Sequence, residues 1–245
     1  MNEQNEKIEA GEIVVQNRFL KWLDNYWYHY KWPTLVVAFF LLVGVVCFTQ
    51  CATSEKYDLV VCYTGDAAIS KDQQQKLLEI LNSLAPDAKK GEGKQSVGLT
   101  RYLIYDPEKL KETCTDDEGK QDVTAYTAAN QTSSNHFKNF DTYVATGDCA
   151  VYFVSEYVYS KRPDLGKSMM RPLESIYGSE LPACAYDAYA IRLSETAFYQ
   201  YYQDVLDFLP EDTLILIPAR TVFVSEETYA DYEALYLAIL NFKAP

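Results

Sequence analysis

From Thr34 to Phe48 the chain is apolar at every position after the opening threonine. The run from Trp32 to Gln50 gives about 28 Å of helix at about 1.5 Å per residue, close to the thickness of a hydrocarbon core. No polar face recurs every three or four residues, so a bilayer suits it better than a protein core. After this run the pattern changes to short apolar stretches separated by polar turns. "YDLVVCYTG" (57–65) predicts a buried strand ending in a glycine turn. In "SKDQQQKLLEILNSL", Ser70 and Gln73 have capping-box spacing, and Leu77, Leu78, Leu81 and Leu84 form one apolar helix face. A polar turn, "DAKKGEGK", leads to a second strand, "SVGLTRYLIYD". Strand, helix and strand joined by short turns predict a βαβ opening and an α/β layer.

Residues 107–128 read as an irregular acidic loop. A helix is predicted over 133–144, with Phe137, Phe140 and Val144 on one face, followed by turn and strand in "GDCAVYFVS". "EYVYSKRPDLGKSMMRPLESIYG" reads as short helix, loop and turn. "DAYAIRLSE" reads as a strand and "TAFYQYYQDVLDFL" as a helix with Phe198, Tyr202, Val205 and Leu209 inward. "DTLILIPA" is a further strand, and "EETYADYEALYLAILNF" is a closing helix that buries Tyr232, Tyr236 and Ile239. The expected organisation is a cytoplasmic tail and interfacial helix over 1–32, a transmembrane anchor over 33–50, and one extracytoplasmic α/β domain over 51–245.

The flanks decide what kind of membrane segment this is. A cleaved secretory signal starts near the N-terminus with a basic region, whereas this run follows Glu3, Glu6, Glu9, Glu12 and Asp24. A lipoprotein signal has a small residue before its cysteine; Gln50 stands before Cys51. A permanent signal anchor is therefore expected. Arg18, Lys21 and Lys31 precede the span and only Lys56 follows closely, so the positive-inside rule puts the N-terminus in the cytoplasm. Phe19, Leu23, Tyr26, Trp27 and Tyr30, with Trp22 and Trp32 beside them, suit the headgroup layer.

Charge excludes one class of partner. Residues 51–245 carry 18 Lys+Arg against 30 Asp+Glu, a net charge of −12, and no basic stripe for nucleic acid. Cys62, Cys114, Cys149 and Cys184 lie outside the span without a Cys-x-x-Cys pair. They allow three disulfide pairings, although Cys62 and Cys149 sit in apolar runs where a buried free thiol is expected. His136 is the one histidine of this part; "TSSNHFKNF" places it among polar residues, as a solvated surface histidine rather than a catalytic base. "DAKKGEGK" lacks the alternating oxygen ligands and the closing Glu of a calcium loop, and no zinc-type ligand cluster occurs, so no cofactor or metal is expected.

The order of elements, with the strand "TGDCAVYFVS" and the segment "YDAYAIRLSETAFYQYY", resembles the first lobe of extracellular solute-binding proteins of the type II periplasmic-binding fold, over about residues 56–205. The chain also resembles small single-pass envelope proteins of Clostridia-type bacteria. It departs from the solute-binding family in having no lipobox, in placing Arg192 where a proline follows "YAI", and in having too few residues after Tyr202 for a second lobe. The resemblance thus implies a single lobe.

Candidate contacts follow from the strand ends, where α/β sheets bind ligands. Tyr63, Thr64 and Asp66 leave the first strand in "YTGDAAIS", and Ser155, Glu156 and Tyr157 leave "VYFVS". Ordinary turn chemistry, with Gly65 supplying backbone freedom, is the simpler account of the first loop. The expected function is a membrane-anchored, non-enzymatic binding or interaction domain that docks an envelope protein or a solute. The alternatives are an envelope enzyme using carboxylates such as Asp66 and Glu156, or the solute receptor of a transporter.

Overall fold

The computed structural model describes residues 18–53, 57–87 and 93–244. They form two compact units that divide between Lys56 and Tyr57.

The first unit is one helix, α1 (Arg18–Thr53), of 36 residues. Its Asn25–Thr49 portion is long and apolar enough to cross a membrane, with mean hydropathy 2.3 and none of it buried in protein. This fits a single-pass membrane protein. The sequence predicts an interfacial helix over 17–32 that leads into the span; α1 is continuous through that junction and contains Pro33. Proline removes one helical hydrogen bond, and an aromatic ladder accompanies that position. Trp22 stacks on Tyr26 at 5.6 Å and Tyr26 on Tyr30 at 5.3 Å. The Tyr26 hydroxyl lies 3.0 Å from Thr34 Oγ1, spanning the proline.

The second unit is built on a five-stranded mixed sheet in the order β2-β1-β3-β5-β4. The strands are β1 (Leu59–Gly65), β2 (Val97–Leu103), β3 (Val151–Ser155), β4 (Ile191–Arg192) and β5 (Thr213–Leu216). β1 pairs in parallel with β2, as the βαβ pattern predicts, and also in parallel with β3. β5 is antiparallel to β3 and β4 antiparallel to β5. β1 is buried along nearly its whole length, and β3 and β5 throughout, which is why they read as continuous apolar runs.

Both sheet faces are covered. On one, Leu77 and Leu81 of α2 (Lys71–Leu84) pack with Leu235, Tyr236 and Ile239 of α9 (Glu226–Leu240) around Val61, Phe153 and Ile215. On the other, Phe140 and Val144 of α4 (Val123–Thr146) pack with Val158 of α5 (Glu156–Lys161) over Cys62, Tyr152 and Leu214. The capping box is present: Ser70 Oγ accepts from Gln73 N at 3.3 Å, and Gln73 Oε1 accepts from Ser70 N at 2.9 Å.

Three expectations are corrected. The supposed loop 107–128 contains α3 (Pro107–Thr113) and the start of α4, because Asp106 and Asp122 cap the two helices and Pro107 fits a first turn. The strand expected over "DAYAIRLSE" shrinks to Ile191–Arg192, because Asp187 Oδ1 accepts from Tyr189 N and Ala190 N and holds the preceding residues in a turn. The helix expected over "TAFYQYYQDVLDFL" is broken into α7 (Ala197–Tyr201) and α8 (Gln203–Leu206). α6 (Glu174–Tyr177) is a single turn. Phe198, Leu206 and Leu209 are buried there, while Tyr202 and Val205 are half-buried.

Cys62 and Cys149 are fully buried free thiols, and burial pushes the Cys62 thiol well up. Residues 88–92 of the "DAKKGEGK" turn lie outside the described residues; its ends are joined by a Lys94–Asp87 ion pair of 3.1 Å. The side chain of Cys51 also lies outside them.

Candidate functional site at the strand ends

The chain leaves β1 to build β2 on one side and returns to β3 on the other. The carboxyl ends of β1 and β3 therefore sit at a topological switch point, where an open α/β sheet leaves a crevice. Thr64 is opposite Val154, so the loops after Gly65 and Ser155 are neighbours. A Cβ on Gly65 would lie 3.2 Å from the Ser155 Cβ and 2.6 Å from the Tyr63 hydroxyl. Gly65 does not have positive φ. Its requirement is close approach, which corrects the expectation of backbone freedom.

The six sequence-predicted residues then take different places. Tyr63 is buried and its hydroxyl accepts from Ala67 N at 3.0 Å, which fixes the turn; burial first, then the nearby Asp66 and Asp212 carboxylates, hold the phenol up. Thr64 is buried on the opposite face of the strand, with no partner for its hydroxyl. Ser155 is the N-cap of α5 and accepts from Val158 N at 3.3 Å. Asp66 lines a small cleft of about 150 Å³ with Tyr105, Asp106, Lys109, Leu110 and Thr113. Glu156 is held apart from it, accepting from the Tyr186 hydroxyl at 2.9 Å and lying 3.5 Å from Arg192. The Arg192 guanidinium in turn lies over the Tyr186 ring at 4.7 Å. Tyr157 lines a second hollow with Pro107, Ser133 and Phe137, and Lys161 sits 5.5 Å from its ring centre.

Sequence reasoning missed Lys109, which lines the cleft, and Asp212, which pairs with it. Lys109 of α3 lies 3.3 Å from Asp212 and 3.9 Å from Asp66, bridging two carboxylates. Asp212 foremost, with help from Asp66, raises the Lys109 ammonium above its ordinary value. Asp212 precedes β5 and arrives here because β5 runs antiparallel to β3, pairing Thr213 with Ser155. The Glu156 N–H donates to Asp212 O at 3.1 Å and fastens the two strand ends. The Asp-Pro-Glu helix start at 106–108 was the available signal for Lys109; nothing local announces Asp212.

Three buried oxygens at these strand ends have no hydrogen-bond partner: Thr64 Oγ1, Thr213 Oγ1 and Asp212 Oδ1. Buried polar atoms are nearly always paired, so the end of the sheet retains unused acceptor capacity. His136 differs from its expectation as a solvated residue. It is half-buried and its Nδ1 accepts from Leu103 N at 2.8 Å, tying α4 to the end of β2. Among the described residues no three His, Cys, Asp or Glu side chains converge as metal ligands would.

Fold and strand-end geometry thus define a class: a mixed α/β unit with a small cleft beyond the ends of β1 and β2, joined to one helix able to span a membrane. No family model, no curated protein and no solved structure matches the chain.

Proposed function

We propose that the chain is a membrane-anchored docking protein, with its N-terminus in the cytoplasm and its α/β unit displayed outside. In this reading it is non-enzymatic, and the switch-point end of the sheet engages an envelope protein partner. The carrying observation is the salt-linked Asp66–Lys109–Asp212 rim on a cleft of about 150 Å³. Pockets that bury small ligands well hold about 300–1,000 Å³, so a solute would leave much of its surface in water there. A protein could lie across the rim and exchange contacts with Lys109. We further propose that the unit is a single lobe of the type II periplasmic-binding kind. The strand–helix–strand opening and the Gly-Asp turn before β3 support this.

A photocrosslinker at position 66 or 156 of the full chain in its native membrane is expected to capture one protein neighbour. Sugars, amino acids and short peptides are expected to raise the melting temperature little. A solute that binds tightly and is lost on Asp66→Ala would overturn docking in favour of the receptor reading. Turnover of a substrate abolished by Asp66→Asn and Glu156→Gln would favour the enzyme.

A further inference from the structure

The loop from β5 to α9 places two apolar side chains where turn chemistry calls for polar ones. Val222 is 95% and Phe223 80% exposed, the highest values among the large apolar residues of the α/β unit. They occupy the middle of a turn closed by the Val224 N–H donating to Thr221 O at 3.2 Å. Central turn positions ordinarily carry Pro, Gly, Asn, Asp or Ser, so neither local conformation nor packing explains Val-Phe there. The turn is held firmly. Val224 is buried in the core beneath it, and the Ala219 N–H donates to Met169 O at 2.8 Å. The Tyr229 hydroxyl donates to Pro218 O at 2.8 Å, and Ser225 caps α9 immediately after. Thr221 packs on Gly147, whose φ of +73° suits the end of α4 and where a Cβ would lie 2.8 Å from Thr221 Cγ2.

Strand polarity shows which end of the sheet this turn occupies. β5 runs opposite to β3, from Thr213 beside Ser155 to Leu216 beside Tyr152. The chain after Leu216 therefore emerges where β1 and β3 begin, and the Ala150 N–H donating to Val60 O joins those two starts. That is also the end at which the chain enters the unit. Only residues 54–58 separate Thr53 at the end of α1 from Leu59, the first residue of β1.

We propose that the Val222–Phe223 turn inserts into the interface of the bilayer that α1 crosses, as a second, non-spanning contact. The inference rests on the reading of α1 as a membrane span. The unit is strongly acidic and Arg220 is paired with Glu226 at 3.0 Å, so the attraction is apolar rather than electrostatic. An aromatic ring with an aliphatic neighbour suits the headgroup–acyl boundary. Two points of attachment at one end would aim the Gly65 and Ser155 loops away from the lipid, toward a partner.

The test reconstitutes the full chain in phosphatidylcholine nanodiscs containing a diazirine-acyl phosphatidylcholine, and maps lipid adducts by peptide mass spectrometry. Adducts are expected within 220–224 as well as within α1. In V222D/F223D, whose substitutions replace exposed side chains, loop adducts should fall to background while those in α1 persist. Circular dichroism checks that the fold is kept. Adducts confined to α1 would overturn the loop insertion and leave the span intact. Adducts in neither region would overturn the span itself and the inference with it. A copy-to-copy crosslink through positions 222–223 without lipid adducts there would show self-association instead, and would also overturn the inference.

Discussion

Gly65 shows how the switch point depends on atoms that are missing. The Tyr63 ring is fully buried and its hydroxyl is committed to Ala67 N, so it has nowhere to move if a methyl group arrives 2.6 Å away. Ser155 is fixed as a helix cap on the other side. Gly65→Ala is therefore expected to destabilise the unit by about 1–3 kcal/mol, the usual cost of overpacking. A denaturant titration that finds the variant as stable as the parent would mean that the Tyr63 ring can yield. Some of this scale was legible in the sequence: the Ser70–Gln73 box and the strand-end positions of Asp66 and Glu156 follow from spacing. The reason for Gly65 was not, because it depends on Ser155, a residue ninety positions away in another strand. Lys109 and Asp212 escaped for the same reason, being paired only by the fold.

Where elements meet, one buried guanidinium ties the end of α5 to α4. Arg162, directly after α5, donates from Nε to Asp164 Oδ1 at 2.9 Å and from Nη2 to Asp164 Oδ2 at 2.7 Å. It also pairs with Asp141 of α4 and lies 5.8 Å from the Phe140 ring centre. The bond from Arg162 holds the Asp164 carboxyl below its ordinary value, against the opposing effect of burial. A carboxyl depressed in the folded state stabilises the protein above its unfolded pKa of about 3.9, and that contribution is lost as pH falls through the folded value. Arg162→Met is expected to cost about 1–2 kcal/mol at neutral pH, since both carboxylates remain partly solvated. The gap from the parent should narrow below about pH 4. Urea titrations at pH 7 and pH 3 check this, and an unchanged gap would remove Asp164 from the clamp. Helix α4 itself marks the limit of pattern reading. Its second half has the apolar stripe of Phe137, Phe140 and Val144, whereas "VTAYTAANQT" at its start is mostly exposed and has no periodicity to detect. The capping by Asp122 of Thr124 N and Ala125 N, both at 3.0 Å, was the one signal.

In the whole molecule, the apolar run and the βαβ opening were legible because each is local: one is continuous over a bilayer's length, the other alternates short apolar stretches with polar turns. The polarity of β5 was not, since a buried four-residue strand reads the same in either direction. That polarity has the larger consequence. It carries Asp212 to one end of the sheet and the Val222–Phe223 turn to the other, so a single strand separates the proposed docking face from the proposed lipid face. The arrangement is useful only if the unit is outside and stays attached. The cations before the span and the absence of a small residue ahead of Cys51 favour that outcome. Protease added to intact cells or spheroplasts should therefore degrade the unit from Tyr57 onward while a tag at the N-terminus survives. Loss of the tag with protection of the unit would reverse the orientation. A soluble mature form starting near Ala52 would instead show that the helix is cleaved as a signal, and would leave the cleft on a freely diffusing domain.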